Sequence, residues 1–308
     1  MPRFLILLTL LLPAPAFAAT PVQKAIRLSL AESYVTATLL TGGNAVRLGF
    51  WDFDPNNFIG FEDENLGSLE AQELRQRLTT VSLPYSWSTP IGEHSNTLVL
   101  NAKAAYLGQK QETQLASSTR STRDTIDSSV TTLTSGAEFR HRLNDNIGLA
   151  AGLNLNWQRY LNDTDFNTPE SQALAPALDG LVTNYSANAW QAEPYLRTTW
   201  FIGGRRAEVK LISEWHYMKG RTFATSEPAH DVQPEAWYWS NGVRWRPPFV
   251  TRIPPGQNVW MQASRYDLGA DLDGPLGNHC YYEAGVGINL NYGSVLRGGT
   301  LVLLFNEE

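Results

Sequence analysis

From about residue 74 to the end of the chain, apolar and polar residues alternate one by one. In IGLAAGLNLNWQRYL, residues 147–161, Ile147, Leu149, Ala151, Leu153, Leu155 and Trp157 share one parity, and Gly148, Ala150, Gly152, Asn154, Asn156 and Gln158 the other. Successive side chains of a strand point to opposite faces, so this stretch predicts a strand with one apolar and one wet face, long enough to cross a bilayer at a tilt. NAWQAEPYLRTTWFI, residues 188–202, opposes Trp190, Ala192, Leu196, Trp200 and Ile202 to Gln191, Glu193, Tyr195, Arg197 and Thr199. AEVKLISEWHY, residues 207–217, opposes Ala207, Val209, Leu211, Trp215 and Tyr217 to Glu208, Lys210, Glu214 and His216. Comparable sorting runs through residues 81–87, 98–106, 133–139, 237–245 and 282–290. Ten strands are expected between residues 74 and 305, with one or two more near 45–51. Residues 258–268 are ambiguous because Val259 and Trp260 compete for the apolar face, and GGTLVLLF is apolar on both.

The connections differ in length: RLNDN and GGRR are short, whereas residues 109–128, 162–185 and 221–235 are long and polar. Short turns at one end and long loops at the other is the asymmetry of an outer-membrane barrel. Tyr85, Trp87, Trp157, Tyr160, Trp200, Tyr217, Trp237, Trp245, Trp260 and Tyr266 fall near strand ends, where aromatic girdles belong. A soluble sandwich also alternates, but its strands run to about five or six residues. A sheet in lipid must close on itself, because unpaired edges find no water there. The expected fold is all-β, a closed antiparallel transmembrane β-barrel of about 12 strands, with 10 as the alternative. One conflict accompanies it: if the last strand runs toward the short-turn side, the NYGSVLRG hairpin falls at the opposite end and strict alternation puts the long loops on the wrong side.

The N-terminal region reads differently. MPRFLILLTLLLPAPAFA carries one Arg, an apolar run too short to span a bilayer and the triplet Ala16, Phe17, Ala18, which predicts a secretory signal peptide over residues 1–18. The remainder, 19–308, is expected to be a single domain. Within it, residues 22–41 fit a helix (Ile26, Leu30, Tyr34, Thr38) about as well as a strand, either the first strand or a helix in or against the barrel.

Composition agrees with a membrane sheet. Charged residues are 18%, below the roughly 25% of soluble domains, and ten Trp are present, yet no long apolar run follows residue 18. The net charge of −6 and the absence of a Lys/Arg cluster exclude a nucleic-acid footprint. A lone Cys280 excludes an intramolecular disulfide despite export.

Candidate chemistry is sparse. FWDFDPNNFIGFEDEN, residues 50–65, spaces Asp52, Asp54 and Asn56 as the first half of an EF-hand loop would, but Asn57 stands where Gly is needed and Asp63 where a bidentate Glu is needed. A polar turn is the expectation. His230 and Asp231, with Ser226 or Ser240, offer a rim hydrolase alternative, although no Gly-x-Ser-x-Gly elbow accompanies them. His279 and Cys280 lack metal-ligand spacing, and no cofactor motif occurs, so no catalytic residue, metal or cofactor is expected. The wet strand faces collect Glu138, Arg140, Glu193, Arg197, Glu208, Lys210, Glu214, His216, Arg244, Arg246 and Glu283, with His216 beside Glu214. Both signs together predict a lumen laced by ion pairs, with a narrow solute channel as the alternative.

The N-terminal SLAESYVTATLLTGGNAVRLGFWDFDPNNF, the arginine-rich GVRWRPPF and the distal YDLGADLDGPLGNHCYYEAGVGINL make the chain resemble the solitary outer-membrane autotransporter-like β-barrel family over nearly all of residues 19–308. The resemblance implies a barrel in the bacterial outer membrane without a secreted passenger, contacting outer-membrane lipid and lipopolysaccharide and inserted by the barrel assembly machinery. It carries over no catalytic residues and leaves any soluble ligand unnamed. The chain departs from the usual terminal aromatic, since Phe305 is followed by Asn306, Glu307 and Glu308.

Overall fold

The computed structural model describes residues 20–42, 47–53, 76–92, 96–113, 123–203, 208–247, 258–273, 279–292 and 296–307. The expected signal peptide and residues 54–65 of the acidic stretch lie outside the described residues.

The ambiguous N-terminal segment is a helix, α1 (Pro21–Leu40). Its start is specified locally: the Thr20 hydroxyl accepts from the Gln23 N–H at 3.2 Å and the Gln23 side chain accepts from the Thr20 N–H at 3.0 Å, with Pro21 in the first turn. Among the described residues eleven strands follow: β1 (Arg47–Phe53), β2 (Gln76–Pro90), β3 (Asn96–Thr113), β4 (Asp124–Arg142), β5 (Ile147–Asp165), β6 (Tyr185–Ile202), β7 (Glu208–Phe223), β8 (Glu235–Arg246), β9 (Asn258–Ala270), β10 (Cys280–Tyr292) and β11 (Leu296–Glu307). A second helix, α2 (Pro169–Leu178), lies between β5 and β6, and a 3-10 turn (Pro228–His230) between β7 and β8.

The strands form one sheet in sequence order, each antiparallel to its neighbours. Among the described residues β1 and β11, the first and last strands of this sheet, approach each other and run in the same direction. The β10–β11 hairpin lies at the same end as the short β2–β3, β4–β5 and β6–β7 turns, and β11 finishes with Glu307 opposite Tyr282. The conflict over sidedness therefore came from its premise about the last strand. The long polar connections are also shorter than expected, because β3 reaches Thr113 and β4 starts at Asp124, while β5 reaches Asp165 and β7 Phe223. Polar residues there continue the ladder, whose backbone hydrogen bonds do not depend on an apolar face.

Alternation sorts the two faces. Leu83, Tyr85, Trp87, Leu149, Leu153, Leu155, Leu196, Trp200, Trp239 and Val243 are exposed on the outside. Tyr160, Trp260 and Tyr266, expected in the outer girdle, face inward instead: Tyr160 packs on Tyr185, Trp260 under Arg244, and Tyr266 on Tyr281. Their parity matches Gln158, Gln262 and Ser264, and parity decides the face.

Candidate functional site: a helix-packed and charge-laddered interior

The sheet wraps around α1. One side of the helix (Leu30, Ala31, Tyr34, Ala37, Leu40) packs against Leu107, Val130, Tyr160, Ala187 and Ala189 of β3–β6. The other side (Val35, Leu39) packs against Met218, Ala236, Tyr238, Leu268, Leu272 and Tyr281. Leu30, Tyr34, Val35 and Ala37 are wholly buried, each large apolar side chain contributing about 1.5–3 kcal/mol. The N-terminal half of α1 points to the long-connection end, where the Arg27 guanidinium donates to the Pro228 carbonyl at 2.9 Å.

Wall amides hold the helix backbone. Gln158 donates to the Tyr34 carbonyl at 3.0 Å and to the Thr38 hydroxyl at 3.1 Å, and Thr38 donates to Gln191 at 2.7 Å. The helix stops midway along the interior, where Lys103 donates to the Thr41 carbonyl at 2.9 Å. A cation here offsets the negative end of the helix dipole.

Beyond the helix end lies a chain of alternating charges. His216 faces Glu193 through Nδ1 at 2.8 Å and Glu214 through Nε2 at 2.9 Å. With both carboxylates ionised, and so accepting only, the ring donates from both nitrogens and carries the imidazolium charge. It is sandwiched between Tyr195 and Tyr238, at 4.9 and 4.2 Å between ring centres. Arg197 donates to Glu138 at 2.6 Å and approaches Glu214 at 3.7 Å; Glu138 also holds Arg140 and accepts from the Tyr195 hydroxyl at 2.8 Å. Gly152 supplies the space for the Tyr195 ring, which a Cβ there would enter. Three carboxylates thus meet three cations, and Asn154 and Asn156 add donors to Glu193 at 3.1 and 3.4 Å.

This ladder borders a cavity of about 690 Å³ that extends from Gly42 toward the short turns. Arg140, Glu193, Arg197, Lys210, Glu214, His216, Arg244 and Glu283 line it, Glu138 is buried behind it, and Glu208 with Arg246 borders a smaller cavity of about 330 Å³. Glu208 binds Lys210 at 3.1 Å and Arg246 at 3.5 Å. Lys103, Gln158, Gln191 and Thr38 were not singled out as site residues from sequence. The strand residues among them carry the inward parity, but nothing in their own type announces a helix partner.

The hydrolase constellation is not assembled among the described residues. His230 is buried, stacks on Tyr185 at 4.0 Å and points Nε2 to the Leu181 carbonyl at 2.9 Å, while Asp231 lies 3.8 Å from Arg221. Ser240 lines the cavity on β8, and His279 meets Asp273 at 3.2 Å on the surface. Of the calcium-like spacing, only Asp52 is described, in β1 opposite Arg77.

The chain belongs to the solitary outer membrane autotransporter beta-barrel domain family, which it matches over residues 31–307. Among solved structures it is similar to the beta domain of the Bordetella autotransporter BrkA, at 11% identity and a TM-score of 0.44, covering 76% of this chain and 90% of that one. No curated protein matches it.

Proposed function

We propose that this member of the autotransporter-like barrel family is a closed, non-enzymatic outer-membrane β-barrel that its own N-terminal helix stops, a structural component of the membrane with a polar vestibule open toward the short turns. The observation that carries the reading is the packing of α1 against both sides of the sheet interior, which fills one half of the passage. Closure brings β1 and β11 together as a parallel pair, in contrast to the antiparallel pairs elsewhere, and removes the edges that lipid cannot solvate. The exposed outer face then meets lipid and lipopolysaccharide, and the barrel assembly machinery inserts it.

A narrow diffusion pore is the second reading, favoured by the vestibule itself. Two measurements separate them. Electrophoretic mobility of the purified protein, unheated against boiled, is expected to shift, and the same preparation in a planar bilayer is expected to give no steady conductance. Steady steps from the intact chain would replace the plugged barrel with the pore, and a missing mobility shift would remove closure.

A further inference from the structure

The charge chain across β4, β6 and β7 is balanced, but one place in the vestibule is not. Lys210 and Arg244 stand directly opposite each other across the β7–β8 ladder, and both line the cavity. Like charges at paired positions repel. The two side chains lean apart, Lys210 over the Phe201 ring at 5.3 Å and Arg244 over the Trp260 ring at 4.2 Å. Glu208 reaches Lys210, but no carboxylate among the described residues lies within ion-pair distance of Arg244.

Arg244 is nevertheless held firmly. Its Nε and one terminal nitrogen both donate to the Gln262 side-chain oxygen, at 3.0 and 2.7 Å, and the other terminal nitrogen makes no hydrogen bond among the described residues. Gln262 in turn donates to the Ser264 hydroxyl at 3.0 Å, so the Ser264 proton is available. Gly242 leaves the room Ser264 occupies, and Gly287 the room for Trp260, since a Cβ at either would collide with those side chains. A stacked and oriented guanidinium, a lysine splayed from it and a hydroxyl with a spare proton are the donor set an oxyanion takes.

We propose that the gap between Lys210 and Arg244 binds a small oxyanion, a phosphate or carboxylate group entering from the short-turn end. The entry route rests on the plugged-barrel reading, whereas the donor set belongs to β7–β9 alone. The full-length protein in detergent is titrated calorimetrically with inorganic phosphate and, separately, with succinate. One saturable site is expected for at least one anion, weakened tenfold or more by Arg244→Gln and by Lys210→Gln. Both variants relieve repulsion and are expected to keep the boil-dependent mobility shift. Saturation by phosphate alone identifies a phosphate site and saturation by succinate a carboxylate site. No saturation by either anion, or binding unchanged in both variants, overturns the proposal. Saturable binding without the mobility shift would keep the site and remove the closed barrel.

Discussion

The two halves of the interior are built by the same strands, yet one is dry and the other wet, and the change occurs within single strands. Along β6 the inward positions run Ala187, Ala189, Gln191, Glu193, Tyr195 and Arg197; along β8 they run Ala236, Tyr238, Ser240, Gly242 and Arg244. Small and apolar residues face the helix, the Gln191 amide meets Thr38 near its end, and charges begin where it stops. The difference teaches that alternation reports only which face is inside, while the gradient along that face reports what the inside contains.

The largest expected effect sets a charge in the dry half against one in the wet half. Leu30→Asp loses a buried side chain and leaves an unpaired carboxylate against β3–β6, a cost of about 5 kcal/mol or more, whereas Ser240→Asp, in the vestibule with Arg244, is expected to be tolerated. Urea midpoints of the heat-modifiable form measure both; equal losses would erase the distinction between the halves. Next, Glu138→Gln strips the carboxylate shared by Arg140, Arg197 and Tyr195 and should cost about 3 kcal/mol, because it leaves a buried guanidinium underpaired. A loss near zero would mean that water already compensates those cations.

At the boundary, Thr38→Val removes the links to Gln191 and Gln158 and should cost about 1 kcal/mol by the same measurement. The smallest effect concerns Asp271, in the turn after β9. Burial, reinforced by the Glu235 charge, pushes its carboxyl above the ordinary value despite the hydrogen bond it accepts from the Glu235 N–H at 2.8 Å. A raised value means that the folded state holds the proton more tightly, so the contribution is complete in acid and is lost as pH rises through the folded value. Lowering the pH from neutral toward about 4 should therefore stabilise the parent chain relative to Asp271→Asn. An identical pH response in the two would refute this.

Much of the sheet was legible because period-two patterning is imposed residue by residue: Leu149 and Leu153 outside, Asn154 and Asn156 inside. Aromatics misled, since Tyr160, Trp260 and Tyr266 were read by type and position near strand ends while their parity turned them inward. Residues 22–41 were ambiguous on spacing because α1 is packed on two sides and its apolar stripe is broad. The Thr20–Pro21–Gln23 signature was the sharper signal. The Glu214–His216 proximity was readable as an i, i+2 pair on one strand face, but the Glu193 and Glu138 partnerships depend on register, which pairing across β4–β7 sets.

Hydrogen–deuterium exchange of the folded protein in detergent, followed by mass spectrometry over residues 30–41, tests the division of the interior most directly. Packing on both sides predicts amide protection comparable to that of the central strands β4–β6, persisting for hours. Exchange of that segment within seconds, with the strands still protected, would contradict it and leave the interior open along its whole length.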